Sequence, residues 1–153
     1  MTLEQHFALI AAEQRRSVLA PLSLRKTMLV AVLLDHFADR VFEQARASMP
    51  DVLLGAEDVL AWRAVLAERS AALAQVFAIG SGKAVLRVET VTVPIVDYPG
   101  LTVEDFMVSL YNDNSVQRVM IVEPDGTMHM AHDCLRQAVA YWEDAGWRTL
   151  ERR

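Results

Sequence analysis

The densest group of side chains able to do chemistry lies near the end of the chain. It comprises His129, His132, Asp133 and Cys134, and each of these residue types can bind a transition metal or transfer a proton. A metal-assisted or hydrolytic enzyme would need at least two of them to converge around a cleft. The predicted local structure opposes this, because His129 falls on a strand and the others begin a helix. We therefore expect no catalytic site, bound metal or cofactor.

A second polar group lies along a long predicted helix. Asp35 and Asp39 are four residues apart, so their carboxylates would share one face of that helix. His36, Arg40 and Glu43 would line the adjacent face. A metal site here would need ligands from another helix, as in helical bundles, and the chain lacks the partner Glu-x-x-His motif. The simpler interpretation is a solvated, charged helix face.

Methionine and aromatic side chains could line a pocket between a helical layer and a sheet. Such linings adapt to varied small apolar ligands, although the same residue types also fill ordinary cores. The candidates for this ligand-binding site are Trp62, Met107, Met120 and Trp142.

The composition limits the class of protein. The 153 residues, of which 53% are apolar, are enough for one domain (1–153) with its own core. The net charge of −5 opposes nucleic-acid binding, which needs clustered cations. Cys134 is the only cysteine, the N-terminus has no signal-peptide pattern, and no apolar run approaches the roughly 20 residues of a membrane span. We expect a cytoplasmic protein without nucleic-acid or membrane partners. Its excess of Arg over Lys suggests a GC-rich bacterium.

The first half of the chain is predicted to be helical. Thr2 and Gln5 form a capping-box pattern before a helix at about 3–18, and Ser23 is a plausible N-cap for a long helix ending near Met49. A third helix is expected at 57–79. The second and third helices would form an antiparallel αα-hairpin, and the first half of the second is apolar nearly all round, which is typical of a central or interface helix.

In the second half of the chain, apolar residues alternate with the two-residue period of β-strands. Residues 84–96 are predicted to form one strand. Its apolar residues occupy even-numbered positions in the first part and odd-numbered positions in the second, and this change of face predicts a β-bulge near Glu89–Val91. A short helix should follow Thr102. Residues 116–123 and 127–131 should then form a hairpin, with Gly126 in a left-handed turn position.

The chain should close with a helix capped by Asp133 and ended by Gly146 in the left-handed conformation, which would bring Trp147 against Trp142. The predicted fold is therefore α+β: a helical region of three helices, then a small, mostly antiparallel sheet with an inserted short helix, and a C-terminal helix.

The prediction of function rests mainly on the apolar residues found on both faces of the predicted hairpin. Both faces of the hairpin are apolar, with Val119 and Ile121 on one side and Met120 and Val122 on the other. The second face must be covered by a helix or by another subunit. We expect a homodimeric, non-catalytic interaction protein. The alternatives are a module that binds a small molecule in the Met- and aromatic-lined pocket, and an enzyme built on His129, His132 and Asp133. Besides a second copy of the chain, the candidate partners are a small apolar ligand and another protein.

Overall fold

The computed structural model describes residues 1–92 and 115–151. In these ranges the chain forms five α-helices, one three-stranded antiparallel sheet and two short 3-10 helices, which confirms the α+β class. The α-helices are α1 (Leu3–Leu19), α2 (Leu24–Ser48), α3 (Val59–Arg69), α4 (Ala71–Gly80) and α5 (Ala131–Asp144). The strands are β1 (Val85–Thr92), β2 (Ser115–Val122) and β3 (Met128–Met130), and the 3-10 helices are Pro50–Leu53 and Gly146–Glu151.

The first two helices begin where their caps predict. The Thr2 hydroxyl accepts from the Gln5 amide at 3.1 Å, and the Gln5 side chain accepts from the Thr2 amide at 2.9 Å, which completes the capping box. The Ser23 hydroxyl accepts from the Lys26 amide at 3.2 Å and starts α2. Each cap satisfies amide groups that the first turn of a helix leaves unpaired.

The predicted helix at 57–79 is wrong, because the segment forms two helices that meet at Ser70. This residue is extended (φ −140°, ψ 111°), and its amide still donates to the Leu66 carbonyl at the end of α3. Its hydroxyl accepts from the Leu73 amide at 3.2 Å and caps α4. Serine competes for backbone groups in this way, so it can end one helix and begin the next. Both α3 and α4 pack against α2.

The predicted β-bulge is also wrong. β1 and β2 pair without interruption from Val85 opposite Val122 to Thr92 opposite Ser115. Alternate residues of β1 therefore point to opposite faces throughout. The apolar residues of β1 fall on both faces because β1 lies at the edge of the sheet, where apolar side chains such as Val85 and Val88 are exposed on opposite faces. The remainder of the predicted strand and the short helix after Thr102 lie outside the described residues.

The hairpin of β2 and β3 forms as predicted. Gly126 has φ +89°, and its amide donates to the Glu123 carbonyl at 2.9 Å. On β2 the apolar side chains of both faces are buried within the single chain: Val119, Met120, Ile121 and Val122.

Two predicted features of the last helix are wrong. β3 runs directly into α5, so Met130 occupies the N-cap position and Asp133 already lies in the first helical turn. At the other end, Ala145 is extended and Gly146 begins a 3-10 helix instead of adopting a left-handed conformation. The expected contact still forms, because the Trp147 indole N–H donates to the Trp142 carbonyl at 2.6 Å.

One aromatic ring joins most of these elements. The fully buried Phe37 of α2 contacts rings from α1, α5 and the C-terminal 3-10 helix. The distances between ring centroids are 5.3 Å to His6, 5.7 Å to Phe7, 5.1 Å to Trp142 and 5.2 Å to Trp147. These separations are those of favourable aromatic pairs.

His6 is held neutral in this cluster. Its Nε2–H donates to the Leu33 carbonyl at 3.1 Å, and its Nδ1 accepts from Arg40 at 3.1 Å. Burial lowers the pKa of His6 below its ordinary value, and the nearby Arg40 charge acts in the same direction. Protonation of Nδ1 would set two donors against each other.

We predict that Gly126→Ala destabilises the protein by about 1 kcal/mol, because a Cβ is disfavoured at a positive φ. The matched control is Gly146→Ala, since Gly146 also has open space around it but no positive φ. Chemical denaturation should show a lower midpoint for the first variant and a midpoint near that of the wild type for the second. Equal midpoints would contradict the turn geometry.

We also predict that the free energy of unfolding falls as the pH is lowered below about 6.5, where His6 binds a proton in the unfolded chain but not in the folded one. The stabilisation is complete above that pH and is lost progressively below it. His6→Gln should flatten this dependence between about pH 7 and 5. His36→Gln, at an exposed position of α2, should retain most of the wild-type slope, because the charge of His36 is the smallest of the influences on the pKa of His6.

Candidate functional site

The four polar residues near the start of α5 have separate partners. His129 faces Glu123, the His132 Nε2–H donates to the Pro21 carbonyl at 2.8 Å, and Asp133 pairs with Arg136 at 3.1 Å. No hydrogen bond or ion pair joins any two of His129, His132, Asp133 and Cys134. Across residues 1–92 and 115–151, no three His, Cys, Asp or Glu side chains are placed to hold a metal ion.

Cys134 packs as a small apolar residue. Its thiol donates to the Ala72 carbonyl at 3.4 Å, and burial raises the pKa of the thiol to about 11, with a smaller contribution from the charge of Asp133. The reactive form of cysteine is the thiolate. At neutral pH this side chain is therefore a protonated thiol that links α5 to α4.

His129 belongs to a cluster that connects the hairpin to α4. The His129 Nε2–H donates to Glu123 Oε2 at 3.2 Å, and the Gln75 side-chain amide donates to Glu123 Oε1 at 3.0 Å. These two hydrogen bonds, with that from Gln75 the stronger influence, lower the pKa of Glu123. The carboxylate therefore orients the imidazole, which is an arrangement that general bases use.

The sequence offered a signal for only part of this cluster. In the observed hairpin register Ile121 lies opposite His129, so Glu123, two residues further along the same face, is a diagonal neighbour of His129. The tight turn at Gly126 thus predicts that contact. Gln75 could not be found in this way, because it comes from a helix 48 residues away.

The carboxylate pair on α2 is occupied by an arginine from α3. Arg63 contacts Asp39 through two hydrogen bonds of 2.9 Å and Asp35 through one of 2.7 Å. Its guanidinium also lies 4.8 Å from the centre of the Phe77 ring. The hydrogen bonds to Asp39 and Asp35 raise the pKa of Arg63. The two carboxylates therefore stabilise the packing of α3 against α2, because both bind the guanidinium of Arg63.

Trp62 and Trp142 come together, with ring centroids 6.5 Å apart, at a cleft of about 420 Å³. This volume lies in the range of small-molecule sites. Trp147 and Tyr141 also line the cleft, and Arg69 and Asp144 lie on its more exposed side.

The indole rings offer little surface to a ligand in this cleft. Trp62, Trp142 and Trp147 are each at most 3% exposed, so almost none of their ring surface is accessible to a ligand in the cleft. The Trp142 indole N–H is buried and has no hydrogen-bond partner among the residues that the structure describes. Met120 lies on β2 and is not among the residues that line the cleft, and Met107 lies outside the described residues.

The outer edge of β1 is the other candidate site. β1 is an edge strand of eight residues, paired with β2 on one side and with no strand of the described ranges on the other. Val85 and Val88 are exposed, and Arg87 pairs with Glu89 at 3.4 Å on one face. An unpaired edge presents backbone donors and acceptors to any chain that can add a strand.

Comparison with known proteins gave no match: no family model, no curated protein and no solved structure resembles this chain.

Proposed function

We propose that the chain is a homodimeric, non-catalytic interaction protein in which the β1 strands of two copies pair across a twofold axis. The observation that carries this proposal is the outer edge of β1, which pairs with no strand of residues 1–92 and 115–151. Antiparallel pairing there would join two three-stranded sheets into one of six strands. Strand addition of this kind gains main-chain hydrogen bonds directly, and side chains then determine which partner fits.

The side chains of β1 are self-complementary in one register. With the twofold axis at Val88, Arg87 of one copy lies opposite Glu89 of the other, and Val85 lies opposite Val91. The symmetry generates each of these pairs twice. Opposite charges and apolar pairs at directly opposed positions each contribute roughly 0.2–1 kcal/mol. The register therefore aligns attractive pairs and avoids like charges.

The same register brings exposed apolar surface together. Val88 is 38% exposed in the single chain and would contact its symmetry mate at the axis. Val85 is 48% exposed and would be covered by Val91 of the other copy. Long exposed edges of this composition are aggregation hazards unless a partner covers them. Residues 85–92 contain no lysine or proline, which commonly protect such edges.

The alternatives have weaker support. A catalytic role would need a group to cooperate with His129, whose hydrogen-bond partners are used to hold the hairpin against α4. Binding of a small molecule would need accessible ring surface in the tryptophan cleft, but the indole rings there are almost completely buried.

We predict that charge reversal at one position of β1 weakens the dimer and that a charge swap restores it. Arg87→Glu places two acidic groups opposite each other at both symmetric positions, and Glu89→Arg places two basic groups there. Each single variant should raise the dissociation constant roughly tenfold. The double variant should recover the wild-type value. Sedimentation equilibrium over the micromolar range measures all four proteins.

The matched control is the exposed Asp133–Arg136 pair of α5, which lies outside the proposed interface. Swapping its charges with Asp133→Arg and Arg136→Asp should leave the dissociation constant unchanged. A wild-type protein that stays monomeric over the whole range, or a dimer that neither single charge reversal on β1 weakens, would rule out pairing through β1.

A further inference from the structure

A second exposed surface lies where α1 meets α2. We name this surface the apolar tip. It contains seven large apolar side chains, of which Leu19 is 86% exposed and each of the others at least 38%. They are Val18, Leu19, Leu22, Leu24, Met28, Leu29 and Val32. Apolar residues exposed singly are ordinary, but seven that are exposed between residues 18 and 32, around one connection between two helices, favour an interaction site.

The apolar tip is held in a fixed shape. Pro21, between the two helices, accepts a hydrogen bond from His132 at the start of α5. The Thr27 hydroxyl donates to the Ser23 carbonyl at 2.9 Å within the first turn of α2. The apolar side chains are therefore exposed on capped, anchored helix ends, which reduces the entropy lost when they bind.

Every charged residue among the apolar side chains of the tip is basic. Arg15, Arg16, Arg25 and Lys26 are all exposed, and no acidic residue occurs between Glu13 and Asp35. Arg16 pairs with Glu13, whereas Arg15, Arg25 and Lys26 form no ion pair with the described residues. Residues 14–34 thus carry only basic charges, although the chain as a whole carries −5.

The cations and the apolar side chains share helix faces. Arg15 precedes Leu19 by four residues on α1, and Arg25 precedes Leu29 by four residues on α2. Residues at this spacing are surface neighbours. Exposed apolar side chains beside Lys and Arg are the arrangement by which helices bind the interface of an anionic bilayer.

We propose that the apolar tip binds an anionic lipid surface, with its apolar side chains entering the boundary between headgroups and acyl chains and its cations contacting the lipid phosphates. A protruding residue such as Leu19 fits a fluid interface, which needs no complementary pocket. The four cations also disfavour a second copy at this surface, because two such tips would repel each other. No helix in the described ranges is long and apolar enough to cross a membrane, so the binding is peripheral.

This inference does not rest on the β1 dimer, because it uses different residues. The sequence-based expectation of no membrane partner rested on the absence of a spanning segment. Surface binding requires only the amphipathic arrangement described above.

The test is co-sedimentation of the full chain with vesicles. Vesicles of equal parts phosphatidylcholine and phosphatidylglycerol should bind the protein, vesicles of phosphatidylcholine alone should not, and added salt should weaken binding. The double variant Arg25→Glu with Lys26→Glu should lose roughly tenfold or more in affinity, since each cation contributes about fivefold. Leu19→Ser should also weaken binding.

Matched controls separate the surface from general charge and folding effects. Arg46→Glu with Arg69→Glu makes the same change of charge at exposed positions in the last turns of α2 and α3. Leu60→Ser removes a side chain that is 76% exposed on α3. Both controls should bind like the wild type, and so should the β1 charge-swap double variant.

Three results would overturn the proposal. They are absence of binding to the anionic vesicles, binding that the tip variants do not change, and binding to soluble polyglutamate in preference to vesicles. The last result would assign the apolar tip to an acidic protein partner. Failure of the β1 experiment alone would leave vesicle binding intact, so the two proposals fail separately.

Discussion

The packing of rings around Phe37 is the interaction on which the rest of the structure depends. α2 is the central helix, and Phe37 lies where its buried face meets α1, α5 and the C-terminal 3-10 helix. A large buried side chain with this many partners costs roughly 3–5 kcal/mol to remove from a core. The contacts of Phe37 also position Trp142, which in turn contacts Trp62 of α3. The order of the helical layer therefore follows from one densely contacted residue.

The polar side chains that suggest chemistry are largely used to connect elements. Arg63 binds Asp35 and Asp39 and so fixes α3 against α2. Gly80 of α4 packs against the carboxylate of Asp35. A Cβ at Gly80 would lie 2.6 Å from the Asp35 carboxyl carbon, so only glycine permits this approach. Glu123 similarly connects the hairpin to α4. Carboxylates whose oxygen atoms are occupied in this way stabilise the fold and have little capacity left for a substrate or a metal ion.

The surfaces left for function are apolar, and charge distinguishes them. On β1 a positive and a negative side chain alternate along one face, so the edge complements a second copy of itself. On the apolar tip the charges are of one sign, so the surface repels its own copy and attracts an anionic partner. The two proposed occupants, a second copy at β1 and an anionic surface at the apolar tip, therefore follow from the same electrostatic rule, and the residues that would bind them do not overlap.

Local chemistry in the sequence determined the ends of α1 and α2 and the Gly126 turn, because a cap or a tight turn depends on residues within four positions of one another. The break at Ser70, the uninterrupted pairing of β1 and the ending of α5 at Asp144 were decided by tertiary packing, which determines the burial of each segment. Contacts such as Gln75 with Glu123 join residues far apart in the chain, and no local pattern encodes them. The exposure of the apolar tip likewise follows from which face of α2 the other helices cover, and this is decided only when the whole domain packs.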